Sequence, residues 1–195
     1  GTPLIIAGGL DLSVAAVAGL TGVIIALLHA AGIPIWFAVS AAVAVAVVVG
    51  IVNGILATYL RLNPLIVTLA TMSIVTGVSL ILTGGLSKPL LVDGFNWVGQ
   101  GRIAGIPVPA LLMLTVYIGL WLMMQKTHFG RYAFAVGGNP DASRLIGLPV
   151  DRTQITLYVM SAVSGALAGT VLAAMLGAAL VFLAQPFRDS GKGFA

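Results

Sequence analysis

The sequence predicts an all-α, polytopic transmembrane helical bundle, and three observations carry that prediction. The chain is 59% hydrophobic and only 7% charged, with a mean hydropathy of +1.14. A soluble domain carries about 25% charged residues to face water, so most of this surface must meet lipid instead. Lys, Arg, Asp and Glu are absent from residues 12–60, 62–87, 106–125 and 153–187. These runs are continuously apolar rather than alternating, so no strand is expected within them. The polar residues gather in short connections between the runs, as loops at a membrane surface would.

Each span follows from a break. The run 12–60 is too long for one crossing, which needs roughly 20 residues. It divides at HAAGIP, where Gly32 can close one helix and Pro34 can open the next. RLNP, Arg61 to Pro64, separates the following run. The expected spans are about 13–30, 35–59, 64–83, 107–125 and 154–176, and residues 177–186 are apolar but unassigned. The chain opens at Gly1 directly into an apolar run, and Asp189 to Ala195 reads as loop. Residues 1–195 are therefore expected to form one membrane domain, incomplete at both ends. There is no Cys and hence no disulfide framework or thiol chemistry.

The net charge of +4 reports orientation rather than nucleic-acid binding, because the few cations flank apolar runs. Lys126, Arg131, Arg144 and Arg152 share one connection, 126–153, which is expected to be cytoplasmic. Parity then puts the Arg61 turn inside and the connections at 29–34 and 84–106 outside. Lys88 and Arg102 oppose this, offset by Asp93 between them.

Within the charged connection, NPDASRLIG specifies a helix of about two turns. Asn139 is a favoured N-cap, Pro140 fits the first helical position, Asp141 meets the positive end of the dipole, and Gly147 can close the helix left-handed. So short a helix is marginal alone and must rest on the membrane surface or on another protein. The alternative is a plain tie between two spans.

GGLDLSV, Gly8 to Val14, places Asp11 beside a span. An intramembrane acid is a functional candidate; equally, Asp11 can be an interfacial N-cap for a helix starting at Leu12. Gly50-x-x-x-Gly54 and Ser161-x-x-x-Gly165-x-x-x-Gly169 put small side chains on one helix face, for close packing. Asn53, Thr68, Thr71, Ser73, Thr76 and Ser79 scatter through the spans. They can line a path for a polar solute or act as interhelical glue. No acid ladder or intramembrane Arg accompanies them, which argues against proton coupling.

Other chemistry is absent from the sequence. No P-loop pattern occurs, so ATP cannot bind here in that way. His29 and His128 lie near membrane edges, away from acids, and no metal or other cofactor is expected. Ser164-Gly165 has no intramembrane base beside it, which disfavours an intramembrane hydrolase. The chain reads as a transporter component and not an enzyme.

GGLDLSV, NPLIVTLATMSIVTGVSLILTGG, GIPVP and THFGRYAFAVGGNPDASRLIGLPVDR together resemble the ribose-type permeases of bacterial ATP-binding cassette importers. The last segment is the specific one. The resemblance spans residues 8 to 152 and continues more weakly to about 175. It implies an all-helical inner-membrane permease that pairs with a second permease subunit, homologous or identical. It implies an external sugar-binding protein and a separate ATPase chain as further partners, with lipid around and no nucleic acid. By the resemblance, Gly137, Gly138, Asn139, Pro140, Asp141, Arg144 and Gly147 dock the ATPase. Phe129, Gly130 and Arg131 set how the chain enters that loop, and Asp11, Ser13, Asn53 and Thr68 belong to the translocation pathway. Two departures stand out. The chain stops at GKGFA where the family continues, and MLGAALVFLAQPFRD is more apolar than the family pattern. A branched-chain amino-acid permease shares the loop logic, and a secondary transporter or channel shares the spans.

Overall fold

The computed structural model describes residues 2–86, 90, 92 and 94–190, and of 177–190 the backbone alone. Lys88 and Asp93, weighed above for orientation, fall outside this set, as do residues 191–195. In chain order the elements are α1 (Thr2–Ile6), α2 (Val14–Ala30), α3 (Ile35–Thr58), α4 (Pro64–Thr83), α5 (Asn96–Gln100), β1 (Arg102–Ile103), β2 (Ile106–Pro107), α6 (Val108–Lys126), α7 (His128–Gly138), α8 (Pro140–Leu145) and α9 (Val150–Ser190).

The five expected spans are α2, α3, α4, α6 and the first part of α9. Four are long and apolar enough to cross a bilayer: α3, α4, α6 and Val150–Leu176 of α9. Helix α2, at 17 residues, is shorter, about 25 Å at 1.5 Å per residue. The breaks are those the sequence marks. Gly32 takes φ 88°, and the N–H groups of Gly32 and Ile33 reach back to the carbonyls of His29 and Leu28, which closes α2. Asn63 caps α4 by accepting the Leu65 N–H at 2.9 Å, with Pro64 at the first position.

Three features depart from expectation. α9 runs on as helix to Ser190, so residues 177–186 are helical, and so are Asp189 and Ser190; no proline interrupts the run before Pro186. The connection before α6 carries α5 and a two-residue antiparallel hairpin. Ala104 and Gly105, both at positive φ, form its turn. The connection 126–153 holds a second helix, α7, ahead of the expected α8.

α9 is the spine. It packs most extensively against α3, then α2, and reaches α5, α7 and α1. The α3 surface turned to the interior is Ala38, Ala42, Ala46, Gly50, Asn53, Gly54 and Thr58, small residues repeating at about every fourth position. A β-carbon on Gly50 would stand 2.6 Å from Val159 Cα, and one on Gly54 2.9 Å from Ile155 Cα. The backbones of α3 and α9 therefore touch, which no larger side chain permits. Gly165 and Gly169 bring α9 equally close to the carbonyls of Val14 and Ala18 on α2. In lipid, where apolar burial gives little drive, such van der Waals contact is what holds helices together. The glycine pattern thus serves packing, as its spacing suggests.

At one end of the bundle lie the α3–α4 turn, α1, the start of α2, α7, α8 and the start of α9; a groove there is lined from Thr58 and Arg61 to Pro140 and Arg144. At the other end Phe95 packs among Ile25, Ala26, Ala42 and Ala174, with Trp36 edge-on at 6.2 Å. Connections assigned to the same side by parity thus gather at the same end.

Gly50→Leu should prevent the α3–α9 approach and sharply lower folded yield and thermal midpoint in detergent, at a cost of at least about 1–3 kcal/mol. Gly77→Leu, at a position with open space around it, should fold nearly as well; equal loss in both variants would refute the close-packing account.

Candidate functional site

The charged connection folds as two helices joined by one residue. Thr127 opens α7, its hydroxyl oxygen accepting the Gly130 N–H at 3.3 Å. Gly130 and Gly137 face inward: a β-carbon at either would collide with the carbonyl of Met124 or of Ile6. Phe129 packs against the core formed by Leu4, Ala7, Met124, Ala133, Leu157 and Tyr158. Arg131 is exposed, and its guanidinium donates to His128 Nδ1 at 2.8 Å. α7 is thus seated on α1 and α6 by its small residues.

Asn139 does two things at once. Its N–H closes α7 on the Ala135 carbonyl at 3.1 Å, while its side chain accepts the Ala142 N–H at 3.0 Å and caps α8. Gly138 beside it is exposed. The far end of α8 closes on Gly147 at φ 81°, with Gly147 N–H on the Arg144 carbonyl and Leu148 N–H on the Ser143 carbonyl, both at 3.0 Å. Arg144 then fastens α8 to α9: its Nη2 lies 2.7 Å from Asp151 Oδ1, and its Nη1 lies 3.7 Å from Asp141 Oδ1. Arg144 and Asp151 are partly exposed and their pair contributes about 0–1 kcal/mol, while Asp141, 93% exposed, adds little; their effect is on orientation. Beyond this fastener Leu145 and Ile146 project, 89% and 74% exposed. The structure thus brings Asn139, Pro140, Asp141, Arg144 and Gly147 into one projection, with Gly138 at its base and Gly137 half-buried beneath.

Of the residues expected in a pathway, three form one hydrogen-bonded chain. Thr71 donates to Asn53 Oδ1 at 2.6 Å, Asn53 Nδ2 donates to Ser13 Oγ at 3.0 Å, and Ser13 donates to Asp11 Oδ1 at 2.6 Å. The Ser13 N–H also donates to Asp11 Oδ1, at 2.9 Å. Asp11 therefore folds onto the residue two ahead and caps the entry to α2 with its carboxylate; α2 itself starts at Val14 rather than Leu12, and the Ser13 side chain makes no cap bond. Ser13 and Asn53 are fully buried. The chain binds the start of α2 to α3 and α4 and polarises toward one carboxylate oxygen. Thr68, also fully buried, stays outside it and donates to the Pro64 carbonyl at 2.9 Å on its own helix. Ser73 and Ser79 likewise donate to their own helix.

Sequence reasoning missed α7, Leu145 and Ile146, and Asp151 in these roles; Thr71 belongs to the expected polar set, and its bond to Asn53 is of the interhelical kind. For α7 a signal exists: Thr127 as N-cap, then Gly130, Ala133 and Val136 at helical spacing.

Two measurements check this geometry. Gly147→Ala forces a β-carbon into φ 81° and should cost about 1–2 kcal/mol locally, seen as faster amide exchange at Gly147 and Leu148 with exchange in α3 unchanged. A cycle of Asn53→Ala and Thr71→Ala, followed by unfolding in detergent, should give a coupling of about 0.6 kcal/mol; a coupling of zero would remove the bond.

Residues 2–186 match the family described as branched-chain amino acid transport system, permease component. Among curated proteins, the ribose import permease protein RbsC of Bacillus subtilis is 40% identical over 180 residues, covering 91% of this chain and 56% of that protein. The L-arabinose transport system permease protein AraH of Escherichia coli is 41% identical over 169 residues, covering 87% and 52%. The autoinducer 2 import system permease protein LsrD of Yersinia pseudotuberculosis is 31% identical over 193 residues, covering 95% and 58%. The chain spans about half the length of the curated relatives it matches. No solved structure matches it. The apolar spans and a family match that runs through almost all of them lead to one conclusion: this is a multi-pass membrane chain belonging to the branched-chain amino acid transport system permease family.

Proposed function

We propose that the whole protein is the permease subunit of an ATP-binding cassette importer, moving a monosaccharide or similar polyol across the bacterial inner membrane. Connection 126–153 faces the cytoplasm and α8 docks a separate ATPase chain. An external binding protein delivers the sugar, and a second permease subunit completes the pathway. The observation that carries this reading is α8 itself. It is capped at both ends, fastened to α9 by Arg144 and Asp151, and carries two apolar side chains away from the bundle. An exposed apolar pair on a rigid polar mount suits a protein partner. Sugar as substrate class is supported by the names of the relatives, which import ribose, L-arabinose and autoinducer 2. The family description names branched-chain amino acids instead, so that substrate class is the second reading.

The mechanism follows from rigidity. Closure of two ATPase subunits moves α8, and α8 pulls on α9, to which it is joined by the four residues 146–149 and an ion pair. α9 in turn carries α3 and α2 through glycine contacts. Packed elements of this kind shift as bodies between alternative arrangements. Asp11, Ser13, Asn53 and Thr68 are proposed to lie along the route, near its cytoplasmic end.

The test is site-specific crosslinking in the full-length protein, with native cysteines removed and the ATPase co-expressed. Leu145→Cys and Ile146→Cys should crosslink to the ATPase in a nucleotide-dependent way. Leu145→Asp should weaken assembly by about tenfold or more, as expected for a buried apolar anchor. Arg144→Glu and Asn139→Pro should leave ATP hydrolysis running without transport. Free labelling of both cysteines in an intact complex would reject the docking role. Proteoliposome uptake of leucine in preference to ribose, L-arabinose and related sugars would reject the substrate class alone.

A further inference from the structure

Behind the α8 groove lies a second, smaller space. The groove, about 600 Å³, is lined by Thr58, Arg61, Asn63 and Gln154 on the span side and by Asp141 and Arg144 on the α8 side. The inner cavity, about 40 Å³, is lined by Gly8, Gly9, Thr58, Gln154 and Tyr158 among others. The two share Ala57, Thr58, Pro64 and Gln154, so one wall separates them. Thr58 and Tyr158 are 6% and 2% exposed. Their hydroxyls are buried and carry no hydrogen-bond partner among the described residues.

We propose that this inner cavity is a binding site for an internal water molecule, held by the hydroxyls of Thr58 and Tyr158 and reached from the α8 groove. Size permits it: a cavity needs about 10–15 Å³ of such volume to hold one water. Chemistry favours it over a dry void. A buried water wants two to four polar partners, and Thr58, Tyr158 and the Gln154 carboxamide supply that number. Most other hydroxyls of the spans turn back to a carbonyl four residues earlier, as Thr153, Ser164 and Thr170 do on the same helix. Thr58 does not, and a tyrosine hydroxyl cannot reach its own backbone. Leaving two such groups unpaired in a membrane protein costs more than immobilising one water. Gly9 lies against the same hydroxyl: a β-carbon there would stand at contact distance, 3.4 Å, from the Tyr158 hydroxyl and would press on the Leu4 side chain at 2.6 Å. A water at this place joins α3 to α9 through hydrogen bonds to one hydroxyl on each helix.

The experiment is hydroxyl-radical footprinting by X-ray radiolysis of water enriched in oxygen-18, on the full-length protein in lipid nanodiscs. The expected result is oxygen-18 incorporation at Tyr158, despite its burial, at a rate comparable with the exposed Tyr59. Thr58→Val, equal in shape but without the hydroxyl, should lose most of the label at Tyr158 while Tyr59 keeps its own. An unlabelled Tyr158 beside a labelled Tyr59 would overturn the site by showing the cavity dry. Undiminished label at Tyr158 in Thr58→Val would equally overturn it, since the water would not rest on Thr58.

Discussion

The whole arrangement depends on the contact of two helix backbones, α3 and α9, along a stripe of alanine and glycine. Lipid tails solvate leucine as well as a protein core does, so large apolar side chains cannot choose a partner helix. Small ones can, because removing the β-carbon lets two backbones meet and lets many weak contacts add. Ala38, Ala42, Ala46, Gly50 and Gly54 extend that stripe along most of α3, about 24 Å. Gly165 and Gly169 repeat the device toward α2. The leucines, isoleucines and phenylalanines left over face outward and remain exposed in large number. In water that surface would be a fault; against lipid it is what a bundle should show.

The polar groups obey the same economy. In hydrocarbon every donor and acceptor must be met. Most hydroxyls here are met within their own helix, at the fourth carbonyl back. That leaves the interhelical polar work to a few residues. Asn53 can bridge because its amide donates to one helix and accepts from another. A serine or threonine at that position has a single proton to give, and a leucine has none. The bridge lies near the end of the bundle that carries α8, where the broken backbone at Gly8 and Gly9 also lies.

Much of this was legible from the residues because it is local. Gly32, Pro34, Asn63, Asn139 and Gly147 act through their own backbone angles and side-chain caps, and each does what its type implies. The spans follow from charge-free length. What failed was tertiary. Thr68 and Thr71 lie on the same helix three residues apart, and only the rotation of α4 against α3 decides which meets Asn53. α7 is marked only by Thr127 and by the small residues Gly130, Ala133 and Val136 at helical spacing, kept small by the proximity of α1 and α6. Gly137 looked like part of a loop signature and is a packing residue under one. The resemblance to a permease family supplied what no spacing could: a reason for a capped helix to stand clear of a membrane bundle.

Asn139 has a mechanical consequence. It is at once the last bonded residue of one helix and the cap of the next, so α7 and α8 share a single articulated vertex with no slack between them. With six residues, α8 is a lever arm of about 9 Å. A 10° swing about that vertex moves its tip by about 1.5 Å, which is comparable with the helix shifts that proteins use to pass a signal. The Arg144–Asp151 pair bridges the far side of the same lever, a latch of low strength that sets the resting angle and yields under load. Gearing of this kind turns a small push at Leu145 into a displacement at the foot of α9, because only the four residues 146–149 and that latch lie between them.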